Sequence, residues 1–87
     1  MGQYRVVLTR TAAKELKFIK HAGLDKKVRH LLETLSDDPY DDSAGFEALK
    51  GGLKGLYSKR INYQHRLVYE ILKEEKTVKV ISLWNHY

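Results

Sequence analysis

The hydrophobic period of this chain changes once, and that change separates a helical half from a sheet half. Between Thr9 and Leu35 apolar residues recur at helical spacing: Ala12, Leu16 and Ile19 fall at i, i+4 and i+7, and Leu24, Val28, Leu31, Leu32 and Leu35 form a longer stripe. Thr9 or Thr11 is placed to cap the first helix and Gly23 to end it. Ser36-Asp37-Asp38-Pro39 ends the second, because the residue before a proline resists helical geometry. The spacing therefore predicts a helical hairpin. From Phe46 onward the period is two. A short segment around Phe46–Leu49 leads into Gly51-Gly52 and Gly55, where the backbone can turn tightly. Leu56–Ile61 and His65–Leu72 read as strands joined by Asn62-Tyr63-Gln64, and Thr77–Trp84 reads as the last strand after a Glu74-Glu75-Lys76 turn. Gln3–Leu8, β-branched and aromatic, reads as the first strand. The expected order is β-α-α-β-β-β: an α+β domain, an antiparallel sheet with two N-terminal helices packed on one face. Its 87 residues make a single domain, 1–87.

Residue content narrows what such a domain can do. There is no cysteine, which removes disulfide scaffolds, thiolate zinc sites and cysteine nucleophiles together. No two of His21, His30, His65 and His86 sit at a metal-binding spacing, so neither a metal nor a cofactor is expected. Gly51-Gly52-Leu53-Lys54-Gly55 lacks the pattern of a phosphate-binding loop, and Tyr40 and Ser43 break the calcium pattern of the Asp37–Asp42 segment. No apolar run approaches the ~20 residues that span a bilayer, and residues 1–5 carry no signal-peptide hydrophobic region. The expectation is a cytoplasmic protein without a membrane partner.

Sixteen Lys/Arg against eleven Asp/Glu give a net charge of +5, which favours anionic partners. The distribution is more telling than the total. From Lys50 to Arg66 there are five cations (Lys50, Lys54, Lys59, Arg60, Arg66) and no acid, while Asp37, Asp38, Asp41 and Asp42 gather just before. Together with this basic stretch, Glu47 just before it and the C-terminal pair His86-Tyr87 suggest one chemistry. RNA is cleaved without a metal when its 2′-hydroxyl attacks the adjacent phosphate. That requires a base, cations around the pentacoordinate phosphorus and an acid for the leaving 5′-oxygen. Glu47 fits the base, Arg60 and Arg66 the charge clamp and His86 the acid. Arginine suits a clamp because its planar fork donates twice to phosphate oxygens and keeps its proton. An odd-numbered turn would place Arg60 and Arg66 opposite each other on adjacent strands, an arrangement that gains from an anion between them. Each residue also has a plainer account: Glu47 pairing with Lys50 at the surface, the arginines docking an acidic protein, and a frayed C-terminus. Residue chemistry by itself leaves these open.

Glu47-Ala48-Leu49-Lys50, the run Leu53-Lys54-Gly55-Leu56-Tyr57-Ser58-Lys59-Arg60-Ile61, then His65-Arg66-Leu67-Val68-Tyr69 and the terminal His86-Tyr87 closely resemble the YoeB/Txe branch of the RelE-like toxins. The resemblance spans almost the whole chain. It implies a fold related to microbial ribonucleases and a ribosome-dependent endoribonuclease, an mRNA interferase of a type II toxin–antitoxin system. Such an enzyme binds the A site of the 70S ribosome and cuts the exposed codon. By this resemblance Glu47 is the general base, Arg66 the phosphate-stabilising arginine assisted by Arg60 and Lys50, His86 the general acid and Tyr87 the substrate-positioning tyrosine. Lys54 and Lys59 fall in the phosphate-binding stretch. The implied partners are a YefM/Axe-like antitoxin, ribosome and mRNA, operator DNA only through the antitoxin complex, and a second copy in a homodimer. Two positions depart from the family pattern: Ala48, where proline is common, and Lys59, where arginine is frequent. The rival readings are a ParE-like toxin that binds gyrase and a non-catalytic RNA- or ribosome-binding module. Both predict that His86 is dispensable.

Overall fold

Local sequence sets where each element begins and stops. The structure, a computed structural model, describes residues 3–53 and 55–85. Strand β1 (Arg5–Leu8) passes into helix α1 (Arg10–His21) through Thr9. The Thr9 hydroxyl accepts the Ala12 N–H at 3.1 Å and donates to the Ile81 carbonyl at 2.8 Å, so one side chain caps the helix and ties it to the last strand. At the other end Gly23 takes a left-handed conformation (φ 73°). Its N–H reaches the Lys20 carbonyl and the Leu24 N–H reaches that of Ile19, a closure that glycine adopts without a Cβ penalty. Helix α2 (Asp25–Asp37) stops where Asp38 turns extended ahead of Pro39.

The apolar stripes of both helices face the sheet. Ala12, Ile19, Val28, Leu31 and Leu35 are buried together with Leu67, Tyr69, Val78, Val80 and Leu83. Leu16 lies at the margin of its stripe, 36% exposed. No helix among the described residues is long and apolar enough to cross a membrane.

The sheet contains β2 (Glu47–Ala48), β3 (Leu56–Arg60), β4 (Arg66–Leu72) and β5 (Thr77–Asn85) besides β1, in the order β1-β5-β4-β3-β2. It is mostly antiparallel, an α+β arrangement with two helices on one face. Two features go beyond the sequence pattern. The segment at Phe46–Leu49 contributes a short fifth strand, with Glu47 opposite Ser58. The outer strand β1 runs parallel to β5; no turn joins those two, so hairpin geometry is not imposed on them.

A bulge in β5 changes which residues it buries. Val68 pairs with Ser82 but Tyr69 pairs with Val80, which leaves Ile81 as the extra residue and brings Leu83 into the core alongside Val80. Helix α1 satisfies the displaced backbone. Ile81 O accepts the Thr9 hydroxyl, and Leu83 N–H donates to Glu15 Oε1 at 2.8 Å.

Candidate active site

Strand parity assembles the site. Arg60 stands directly opposite Arg66, and Ser58 lies between Glu47 on β2 and Val68 on β4. Glu47, Ser58, Arg60 and Arg66 thus share the sheet face opposite the one that buries Leu67 and Tyr69. The loop between the two arginines, residues 61–65, is fixed by Asn62, whose Oδ1 accepts the N–H groups of Gln64 (2.9 Å) and His65 (2.8 Å). His65 is buried and its ring stacks on Trp84, with centroids 3.7 Å apart. It closes the turn ahead of β4, which begins at Arg66 rather than at His65.

Arg66 is held more firmly than a surface arginine. Its Nη1 donates to Ser58 Oγ at 3.0 Å and to the Gly45 carbonyl at 3.2 Å, while Nη2 lies 3.7 Å from Glu47 Oε2. The Arg66 side chain is 16% exposed and that of Glu47 61%. At that separation and exposure the ion pair contributes little. The two neutral acceptors orient the guanidinium, and the carboxylate stands beside it facing solvent. Among the described residues the ion-pair partner of Glu47 is Arg66, not Lys50, which lies exposed just after β2.

Arg60 folds over the backbone of Gly45. A Cβ on Gly45 would meet Arg60 Cβ at 3.3 Å and Arg60 Cζ and Nη2 at 3.4 Å, and Gly45 also has φ 65°. The positive φ favours glycine there, and a Cβ would crowd Arg60. The result is two facing guanidinium-bearing positions with a carboxylate alongside. Such a set can cradle a phosphate and accept a proton next to it.

Lys59 does not belong to this set. It is fully buried on the inner face of β3, sharing the parity of Tyr57 and Ile61. Its Nζ donates to Asp41 O (2.7 Å), Ser43 O (2.8 Å) and Asp41 Oδ1 (3.2 Å), with the Phe46 ring 5.5 Å away. An ammonium has three protons and all three are used, so the expected role of Lys59 in phosphate binding is corrected. Lys54, His86 and Tyr87, the remaining expected site residues, lie outside the described residues.

The sequence pattern also left two groups unassigned, Ser58 Oγ and the Gly45 carbonyl, which orient Arg66. Ser58 carried a signal, since it shares parity with Arg60. A backbone carbonyl from a loop 21 residues away carried none. That loop is ordered by its own polar groups. Hydrogen bonds from the hydroxyl and then the amide of Ser43, with Lys59 next, hold the Asp41 carboxyl well below its usual range, at about 2. The Tyr69 hydroxyl donates to Pro39 O at 2.9 Å, and burial raises its pKa far above that of an exposed tyrosine.

Residues 9–87 match the family described as YoeB-like toxin of bacterial type II toxin–antitoxin system. The chain belongs to this family. Toxin YoeB of Synechocystis sp. is 39% identical over 62 residues, covering 71% of this chain and 70% of that protein. Among solved structures, the YoeB/ParE toxin from Agrobacterium tumefaciens superposes with a TM-score of 0.86 at 27% identity, covering 95% of this chain and 99% of that one. The YoeB of Staphylococcus aureus, solved as a dimer, gives 0.82 at 28% identity over 98% and 99% of the two chains. In its heterotetrameric YoeB–YefM complex the same toxin gives 0.80 at 29% identity over 97% and 98%.

Proposed function

We propose that this YoeB-like toxin is a ribosome-dependent endoribonuclease that cuts messenger RNA in the A site by metal-independent transesterification. The observation that carries the proposal is the Arg66 guanidinium, held by Gly45 O and Ser58 Oγ with Glu47 Oε2 3.7 Å from its outer nitrogen. In this reading Glu47 takes the proton of the substrate 2′-hydroxyl and O2′ forms a bond to phosphorus. Arg66, with Arg60 and Lys50, meets the charge that builds on the non-bridging oxygens. The P–O5′ bond breaks as His86 protonates the leaving oxygen, giving a 2′,3′-cyclic phosphate and a 5′-hydroxyl. Tyr87 positions the substrate. The roles of His86 and Tyr87 rest on the family resemblance alone. A pre-aimed guanidinium favours this chemistry because it needs no reorganisation when the charge appears.

The same reading makes the protein a cytoplasmic toxin neutralised by a YefM/Axe-like antitoxin, reaching operator DNA only through that complex. The YoeB–YefM heterotetramer and the YoeB dimer of S. aureus support an antitoxin partner and a homodimer for this chain. Primer extension on messenger RNA in stalled ribosomes tests the proposal. The wild type is expected to give new 5′ ends within the A-site codon. Arg66→Ala should lower the rate by about 10²–10³-fold, as removal of a transition-state donor does. His86→Gln should abolish cleavage. Undiminished cleavage by folded His86→Gln refutes the acid assignment. Equal losses in Arg66→Ala and Lys54→Ala would instead indicate a general anion-binding face.

A further inference from the structure

Lys59 is a buried cation that the proposed chemistry does not use. A lysine with no exposure is costly unless every donor is matched, and here the matching groups all come from one loop, residues 41–45. The carbonyls of that loop are allotted in sequence. Asp41 O and Ser43 O accept from Lys59 Nζ, Ala44 O accepts the Arg60 N–H at 2.6 Å, and Gly45 O accepts Arg66 Nη1. The loop is also under strain. Ala44 (φ 56°) and Gly45 (φ 65°) are consecutive left-handed residues, and a non-glycine there persists only where its surroundings hold it. The loop then runs through Phe46, stacked on Tyr57 with centroids 5.6 Å apart, directly into Glu47.

We infer that Lys59 is a positioning residue: from the inner face of β3 its ammonium fixes the 41–45 loop, and the Gly45 carbonyl of that loop aims Arg66 on the outer face. The inference deepens the proposed nuclease function and rests on it for the consequence in catalysis. It also explains why a cation on this strand is turned inward while its neighbour Arg60 is turned out. Lys59 acts through Arg66 and Glu47 and touches no substrate.

Lys59→Met keeps the length of the chain and removes the donors. With full-length protein and mRNA-programmed ribosomes, kcat should fall roughly 10²-fold, as a misplacement of about 1 Å produces. KM for the ribosome should stay within about twofold, since no docking contact is lost. Independently of activity, the Arg66 guanidinium NMR resonances, assigned with Arg66→Lys, should lose the slowed rotation imposed by Gly45 O and Ser58 Oγ. Lys59→Gln, which leaves a single amide to serve the loop carbonyls, should reproduce both changes and decides the matter if Lys59→Met does not fold. A rise in KM with unchanged kcat would make Lys59 a docking cation and overturn the inference. So would unaltered Arg66 resonances in either folded variant. Should the wild type fail to cleave, the nuclease reading falls, while the resonances still report whether Lys59 holds Arg66.

Discussion

At the β1–β5 end of the sheet, two helices press apolar side chains onto the strands; at the β3–β2 end, the loop over residues 38–46 is held by directed polar contacts. The helices touch chiefly β5 and β1, through Ala12, Ile19, Val28, Leu31 and Leu35. The other end relies on Lys59 Nζ, the Arg60 amide, the Tyr69 hydroxyl and the Phe46–Tyr57–Tyr69 ring series. Apolar burial is strong but has no direction, so it stabilises the fold without orienting any one group. A hydrogen bond adds only about 1 kcal/mol net, yet it sets an angle. A site that must aim a guanidinium therefore belongs at the second end and borrows its stability from the first.

The largest expected effect comes from breaking the apolar end. Leu35 is fully buried between α2 and the sheet, and Leu35→Ala removes three carbons from a packed interior. The expected loss is about 2–5 kcal/mol in urea unfolding, with the denaturant slope unchanged. The Arg66 resonances of the protein that remains folded should not move. A loss below about 1 kcal/mol would mean that this end does not carry the fold.

How much of this was legible beforehand follows the same division. Leu24, Val28, Leu31, Leu32 and Leu35 announced their helix because burial acts through period alone. The opposition of Arg60 and Arg66 followed from an odd-numbered connection. The charge of Lys59 points to the phosphate site, but its parity with Tyr57 and Ile61 turns it inward, and register prevails over charge. Other features left no local trace, because their partners are far along the chain. The Ile81 bulge is satisfied by Thr9, and Leu83 by Glu15. Strand β2 exists because Glu47 and Ala48 find β3, a pairing that two residues cannot specify by pattern. The placement of Arg66 depends on Gly45 O, and no residue type encodes a carbonyl.

Tyr69 spans both ends, its ring in the core and its hydroxyl on Pro39 O, and so tests whether the division is real. Tyr69→Phe keeps the ring and leaves a buried carbonyl without its donor, at an expected cost of about 1–3 kcal/mol. The loss should appear first as faster hydrogen exchange at the Arg60 amide, which bonds to Ala44 O, while the amides of α2 stay protected. Uniform acceleration across α2 and the loop would show one cooperative unit rather than two. Burial raises the folded pKa of this phenol, so its contribution is complete below the ordinary tyrosine range and is lost as pH rises beyond it. Tyr69→Phe should abolish that alkaline loss.

The smallest effect sharpens the comparison most, because it concerns a single carboxylate on the polar end. Asp41 accepts from the Ser43 amide and hydroxyl and from Lys59, and its folded pKa is depressed to about 2 from an ordinary 3.8. A depressed folded pKa means that the stabilisation is present above the unfolded value and is lost as pH falls through the folded one. The loop should therefore loosen between about pH 4 and pH 2, while Lys59 keeps its two carbonyls and the loop stays attached. NMR titration of the Asp41 carboxyl carbon should give a midpoint near 2, and Ser43→Ala should raise it, since the hydroxyl is the largest of the lowering contacts. An Asp41 midpoint near 3.8 in the wild type would remove the carboxylate from the set of contacts that order the loop. The part of Lys59 in positioning Arg66 would then rest on its two carbonyl bonds, without the Asp41 carboxylate, and Asp41→Asn would leave the Arg66 resonances where they are.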